Sequence, residues 1–330
     1  MKAILLTLLG VLLFQAGVRA QQAPANAEPD QGPPIRVLVE EVTVPFIVTD
    51  NRNRLVTDLT QADFQVLEDR RPQQISAFAR ETDVPLRIGL LVDTSNSIRD
   101  RLDFEQKAAA EFLQTTVRPG KDKALLGTFD SVAELVQDFT DNVDELVGAT
   151  QTLRAGGGTA LYDAILFTSR DRLLAEAPLS SRYRRAMVVL SDGEDNQSRF
   201  TRQQTLEAAR RGEVIIYTIS TNIKGTHMPG DKVMQEFAEE TGGRYFQPFT
   251  WDDLDEAFQA ISQELRSQYS LSYHPTTPRD GQYHGIEIRS LKGGLRVRAR
   301  RGYFATPSPT ASASPSQEPG EPAGSSALRP

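Results

Sequence analysis

The stretch Arg87-Ile88-Gly89-Leu90-Leu91-Val92-Asp93-Thr94-Ser95-Asn96-Ser97 decides the fold. Ile88 to Val92 is almost continuously apolar, the pattern of a strand buried on both faces of a parallel sheet. The run ends in a carboxylate and small polar residues, and a helical pattern follows over 98–117. A second apolar run, Met187-Val188-Val189-Leu190, ends the same way in Ser191-Asp192-Gly193-Glu194-Asp195. Across 85–267 the expected strands are 87–93, 123–129, 133–139, 186–191, 214–220 and 244–248. The expected helices are 98–117, 143–153, 161–174, 201–211, 231–241 and 251–265. This alternation is that of an α/β fold with a doubly wound, mostly parallel sheet covered by helices on both faces. Strand 133–139 follows its neighbour after a tight turn and is expected to be an antiparallel edge.

The flanks read differently. Residues 1–20 have the order of an export signal: Lys2, an apolar run from Ala3 to Gly17, and Val18-Arg19-Ala20 as a cleavage site. Gln21 is then the expected mature start. Residues 21–34, rich in Ala, Pro and Gln, read as a linker. Residues 35–84 and 268–304 carry short β-prone runs separated by turn residues. Each offers only about three strands, which is marginal alone, so the two segments are expected to join into one small β unit beside the α/β domain. Pro45 has no amide to donate and points to an edge strand or a bulge. Arg296, Arg298, Arg300 and Arg301 mostly alternate with Leu295, Val297 and Ala299, the pattern of a solvated strand face. From 305 to 330 the chain is mostly Pro, Ser, Thr, Ala and Gly and is expected to be a disordered tail.

Composition removes several function classes. Apolar residues make up 39% of the 330, enough for a packed core, and the net charge of −7 is spread over interspersed acids and bases. A general nucleic-acid binder needs a basic face, which this pattern does not supply. The absence of cysteine excludes disulfides, thiolate metal sites, a cysteine nucleophile and lipidation through an N-terminal cysteine. Together with an export signal it fits a bacterial envelope, periplasmic or extracellular. Beyond the signal the sequence gives no strong membrane indication. His227, His274 and His284 are too scattered for a histidine metal cluster.

Three segments carry candidate chemistry. Asp93, Ser95 and Ser97 lie where the first α/β strand ends, the edge at which open parallel sheets bind ligands. Thr159 follows Gly156-Gly157-Gly158 just before a helix, and Asp192 ends a second strand at the same edge. Each has a plainer reading: Ser97 and Thr159 as helix caps, Ser95 and Asp192 as turn residues. Three such coincidences at one edge favour a shared site. Three hydroxyls and two carboxylates suit a hard divalent ion, magnesium first, with manganese or calcium as alternatives. Two carboxylates leave the ion incompletely neutralised, so an incoming Asp or Glu would complete its shell.

These residues resemble the metal-ion-dependent adhesion site of von Willebrand factor type A domains over roughly 85–265, with all five positions filled. The resemblance implies a Rossmann-like fold. It also implies Ser95 and Ser97 as direct ligands, Thr159 as a direct or water-linked ligand, and Asp93 and Asp192 as carboxylates acting through water or through the hydroxyls. The flanks, with Val48-Thr49-Asp50, the segment from Asp63 to Asp69 and the closing Arg300-Arg301-Gly302-Tyr303, are similar to a bacterial family that places such a domain between β segments.

The leading function is therefore an exported, metal-dependent module that grips an acidic group on a protein partner. The alternative is an envelope scaffold with a structural metal. A metal-dependent hydrolase using Asp93 as nucleophile usually wants a second acid two residues on, where Ser95 stands. No Gly-x-Ser-x-Gly, His-Glu-x-x-His or phosphate loop is present.

Overall fold

The computed structural model describes residues 41–222 and 228–307. The expected signal, the linker, residues 35–40 and the chain beyond 307 lie outside the described residues. Four strands come first: β1 (Val42–Asp50), β2 (Phe64–Glu68), β3 (Arg71–Gln73) and β4 (Ile75–Glu81). The central sheet follows, with β5 (Leu86–Asp93), β6 (Lys123–Phe129), β7 (Ala133–Thr140), β8 (Arg184–Ser191), β9 (Ile215–Ser220) and β10 (Tyr245–Phe246) in the order β10-β9-β8-β5-β6-β7. All its pairings are parallel except that of β7, an antiparallel edge as its tight turn requires.

Every residue of β5 and β8 is buried, which explains their unbroken apolar runs. Leu86, Ile88, Leu90 and Val92 face a core shared with α1 (Leu102–Thr116), α2 (Val143–Thr150) and α7 (Trp251–Leu265). Leu91 faces the other layer, built from α3 (Leu161–Phe167), α5 (Arg202–Arg211) and α6 (Pro229–Thr241). The helix expected over 161–174 passes from α3 through a π-helical turn, Thr168–Leu173, into the short α4 (Leu174–Glu176). The chain runs from β5 to β6 on one side and returns to β8 on the other. The crevice between β5 and β8 is thus the topological switch point of the sheet.

The two flanking segments interleave. One antiparallel sheet has the order β13-β1-β11-β4, with β11 (Gln268–Tyr273) and β13 (Leu295–Ala299). A second has the order β14-β12-β2-β3, with β12 (Tyr283–Ser290) and β14 (Gly302–Phe304). Each sheet takes strands from both segments, and one core lies between them. The rings of Phe46, Phe64, Phe78 and Tyr269 form its centre, with Phe46 and Phe64 edge-to-face at 5.0 Å. The buried Glu68 carboxylate accepts from the hydroxyls of Tyr273 (2.6 Å), Tyr303 (3.2 Å) and Thr277, which ties the closing Arg-Gly-Tyr segment to β2.

Four expectations need correction. Pro45 lies in β1, an interior strand; β13 pairs with β1 only from Phe46 onward, so at Pro45 only β11 lies alongside and a missing donor is tolerated. Of the turn residues Asp69 to Pro72 that separate two β-prone runs, Arg71 and Pro72 instead open a short strand, Arg71–Gln73, after a reversal at Asp69 and Arg70, both with positive φ. The arginine strip is not simply solvated. Arg298 reaches Gly243 O (2.9 Å) and Glu264 (2.6 Å), and Arg300 pairs with Glu213, so both fasten the β unit to the α/β domain. Ala305, placed in the tail, is buried and donates to Gln282 O (2.9 Å).

Candidate metal centre

Asp93 closes β5 with its carboxylate fully buried. One oxygen accepts the Ser95 amide (2.8 Å) and the other accepts the Ser191 hydroxyl (2.7 Å) from the end of β8. The Ser95 and Ser97 hydroxyls lie 2.9 Å apart. Ser191 Oγ in turn accepts the Gly193 amide (3.0 Å), which fixes the turn that carries Asp192. Asp192 is half-buried, and its Oδ1 accepts from Glu194 N (3.1 Å). One bonded chain therefore runs from Ser97 through Asp93 to the backbone beside Asp192.

The glycine loop is drawn in by backbone bonds. Gly156 N donates to Thr94 O (2.7 Å), and Asn96 donates through its amide and its side chain to Gly157 O. Arg101 N donates to Ile98 O (2.8 Å) in place of the helical bond to Ser97 O, so the helix expected from Ile98 starts four residues later. A 3-10 turn, Asn96–Ile98, occupies the gap. Thr159 is buried, and its amide donates to Asn196 Oδ1 (3.0 Å) in the loop after Asp192. Asp195 holds that loop on α3 by accepting Tyr162 N (3.0 Å).

This geometry weighs on the plainer readings. The N-cap of α1 is Arg101 and that of α3 is Ala160, neither with a side-chain cap bond, so neither Ser97 nor Thr159 caps these helices. Asp192 does serve its turn through Glu194. Ser95, Ser97 and Thr159 thus bring hydroxyls to the carboxyl edge of the sheet with no capping duty.

The electrostatics favour a cation. Burial pushes the Asp93 carboxyl up to about 6, partly opposed by its bonds from Ser95 and Ser191, and the charge of Asp192 adds to the rise. All its hydrogen-bond donors are neutral. Glu105 on α1 is buried with Oε2 unpartnered, and burial followed by the charge of Asp93 pushes it up to about 8. Among the described residues no group of three His, Cys, Asp or Glu side chains is placed to share a metal. A cation here must rely on hydroxyls as well as carboxylates, a donor set of hard oxygens that suits magnesium, manganese or calcium.

Sequence reading left Ser191, Asn196 and Glu105 without a role. Ser191 stands in the quoted Ser-Asp-Gly. Glu105 was detectable as an acid on the stripe Leu102, Ala109 and Phe112 that α1 buries.

Gly193 has φ +78°, and a Cβ there would come within 2.2 Å of Gly230 O at the start of α6. Gly193→Ala is expected to destabilise the protein by at least ~1–3 kcal/mol, the scale of a non-glycine residue held at positive φ, and to weaken any cation site that Asp192 shares. Urea unfolding checks the first effect; wild-type stability would contradict it.

The family model described as the von Willebrand factor type A domain matches residues 88–194, which hold Asp93, Ser95, Ser97, Thr159 and Asp192. The chain carries a von Willebrand factor type A domain. A search of curated proteins finds no match. Among solved structures, a von Willebrand factor type A protein from Catenulispora acidiphila is similar at 12% identity and TM-score 0.47, over 81% of this chain and 74% of that one. A mutant PilB minor pilin from Streptococcus sanguinis is similar at 14% identity and TM-score 0.45, over 56% of this chain and 62% of the pilin, so less than two thirds of the pilin is spanned. Proximal thread matrix protein 1 from the mussel byssus, with a zinc-occupied metal-ion-dependent adhesion site, is similar at 14% identity and TM-score 0.48, over 60% and 49%. Among the described residues no helix is long and apolar enough to cross a membrane.

Proposed function

We propose that this chain is an exported, non-enzymatic binding protein that uses a divalent cation to grip an acidic side chain of a protein partner. Asp93, Ser95, Ser97, Thr159 and Asp192 hold the cation, magnesium first among the candidates. The reading is carried by one observation. A buried carboxylate at the sheet's switch point has only neutral donors, and the hydroxyls of Ser95 and Ser97 in its own loop, like that of the buried Thr159 on the glycine loop bonded to it, cap neither α1 nor α3. Burial disfavours the Asp93 charge, and a divalent ion would restore it.

Two carboxylates on a divalent ion leave a coordination position for a third, and a partner's Asp or Glu supplies it as a charge-assisted bond. The chain's own part is to orient the donors. Ser191 and the Ser95 amide fix Asp93, and Asn196 fixes the Thr159 backbone. Asn96 anchors the serine loop on Gly157. Export rests on the N-terminal residues alone. The family match supports a binding rather than a catalytic role.

A pull-down from envelope extract is expected to yield partners in magnesium that are lost in chelator and never captured by Asp93→Ala. Partners that stay bound in chelator would favour a scaffold with a structural metal.

A further inference from the structure

A cleft of about 820 Å³ lies away from the candidate metal centre. It lies at the opposite, amino edge of the central sheet, between that edge and the outer face of β13-β1-β11-β4. Alternation along the strands explains the gap. One face of this sheet presents Val44, Phe46, Phe78, Tyr269 and Leu271 to the aromatic core. The other presents Thr43, Pro45 and Ile47 on β1, Ala77 and Ala79 on β4, and Ser270 and Ser272 on β11. Ile47 apart, these side chains are too short to fill the space beneath the α/β domain. The far wall carries Leu179, 51% exposed, and Tyr183, 37% exposed, with the Arg87 guanidinium over the Tyr183 ring at 3.9 Å.

The charge in the cleft is unbalanced. Arg182, Arg184, Arg185, Arg210 and Arg300 line it. Three glutamates answer them: Glu81 pairs with Arg184, Glu240 with Arg210, and Glu213 is shared by Arg185 and Arg300. Arg182, at the mouth, has no acid within ion-pair distance among the described residues. Arg80, also on the lining, stands opposite Tyr269 and so on the core face of the sheet, and is not counted. Arg210 Nε and Arg300 Nε are buried without a hydrogen-bond partner. With Asp83, which also lines the cleft and pairs with Arg118 and Lys121, four carboxylates stand against these five guanidinium groups and leave a positive excess of one, in a chain whose net charge is −7.

We propose that this cleft binds an amphipathic anion, an acyl chain carrying one carboxylate. The chain lies on the Ala-Ser-Thr shelf against Leu179 and Tyr183, and the carboxylate takes the excess arginine charge. The volume falls within the roughly 300–1,000 Å³ of small-molecule sites, which join an apolar lining to a few converging polar groups. Charge-assisted bonds to guanidinium are the strong and specific component of such a site.

Calorimetric titration of the protein with laurate, below its micellar concentration, tests this. Saturable 1:1 binding is expected, at least tenfold weaker in Ala79→Trp, which fills the shelf from an exposed position, and in Arg182→Glu. Dodecyltrimethylammonium, with the head charge reversed, is expected not to bind. Four results would overturn the proposal: no saturable laurate binding, wild-type affinity in both variants, equal binding of the cation, or binding of an octaglutamate peptide with laurate inert. The last would assign the cleft to an acidic polypeptide.

Discussion

Asp122→Asn is expected to cost the protein about 3 kcal/mol, at the low end of the loss that accompanies removal of one partner from a buried ion pair. The Asp122 carboxylate is fully buried just before β6. It accepts from Leu86 N (2.8 Å) at the start of β5, from Arg118 N (3.0 Å) and Nε (2.8 Å) after α1, and from Arg266 Nη2 (2.5 Å) after α7. It thus pins the points where the chain enters and leaves the α/β domain. Burial alone would raise this carboxyl, but the two guanidinium groups and the Leu86 amide outweigh it and hold it at about 2. A folded value below the ordinary one of 3.8 stabilises the folded state above that ordinary value, by about 2 kcal/mol at 1.36 kcal/mol per unit. The contribution fades as the pH falls through about 2. An asparagine keeps one acceptor but leaves both arginines without a counter-charge. Their partial exposure, 37% for Arg118 and 21% for Arg266, limits the loss. In urea unfolding the variant should trail the wild type at pH 7, and the gap should narrow, by up to about 2 kcal/mol, as the pH falls to about 2. Equal midpoints at pH 7 would contradict the account.

The second large effect belongs to the candidate metal centre. Asp93→Ala removes the carboxylate that links the serine loop to β8 through Ser191. Cation affinity is expected to fall roughly ten- to hundredfold, the usual loss when an outer-shell partner is deleted, and further if Asp93 ligates directly. The fold should persist, because the variant also removes a buried charge that burial disfavours.

Much of this was legible because period and burial are written into side chains. The apolar runs at β5 and β8 admit few other structures. The five candidate residues stand at the ends of those strands or before α3, where turn chemistry is conspicuous. The β unit was harder. Its strands are short, and their partners lie more than two hundred residues away, as with Val44 and Leu271. Local pattern says nothing about which strand pairs with which, so Pro45 passed for an edge. Helix α1 was overextended because Arg101 N closes a 3-10 turn on Ile98 O instead of a helical bond to Ser97 O. Arg298 and Arg300 looked solvated because alternation shows which face a residue takes and not what covers that face. Glu105 shows the converse: its position on a buried helical face, the chief cause of its raised carboxyl, was readable, but the carboxylates that add to the rise come from other elements.

The central claim is that Asp93, Ser95, Ser97, Thr159 and Asp192 hold a divalent cation. Calorimetric titration of the folded protein with magnesium, beside Asp93→Ala under the same conditions, tests it most directly. The account predicts one saturable site in the wild type and at least tenfold weaker binding in the variant. Equal binding by both proteins, or none by a folded wild type, would contradict it.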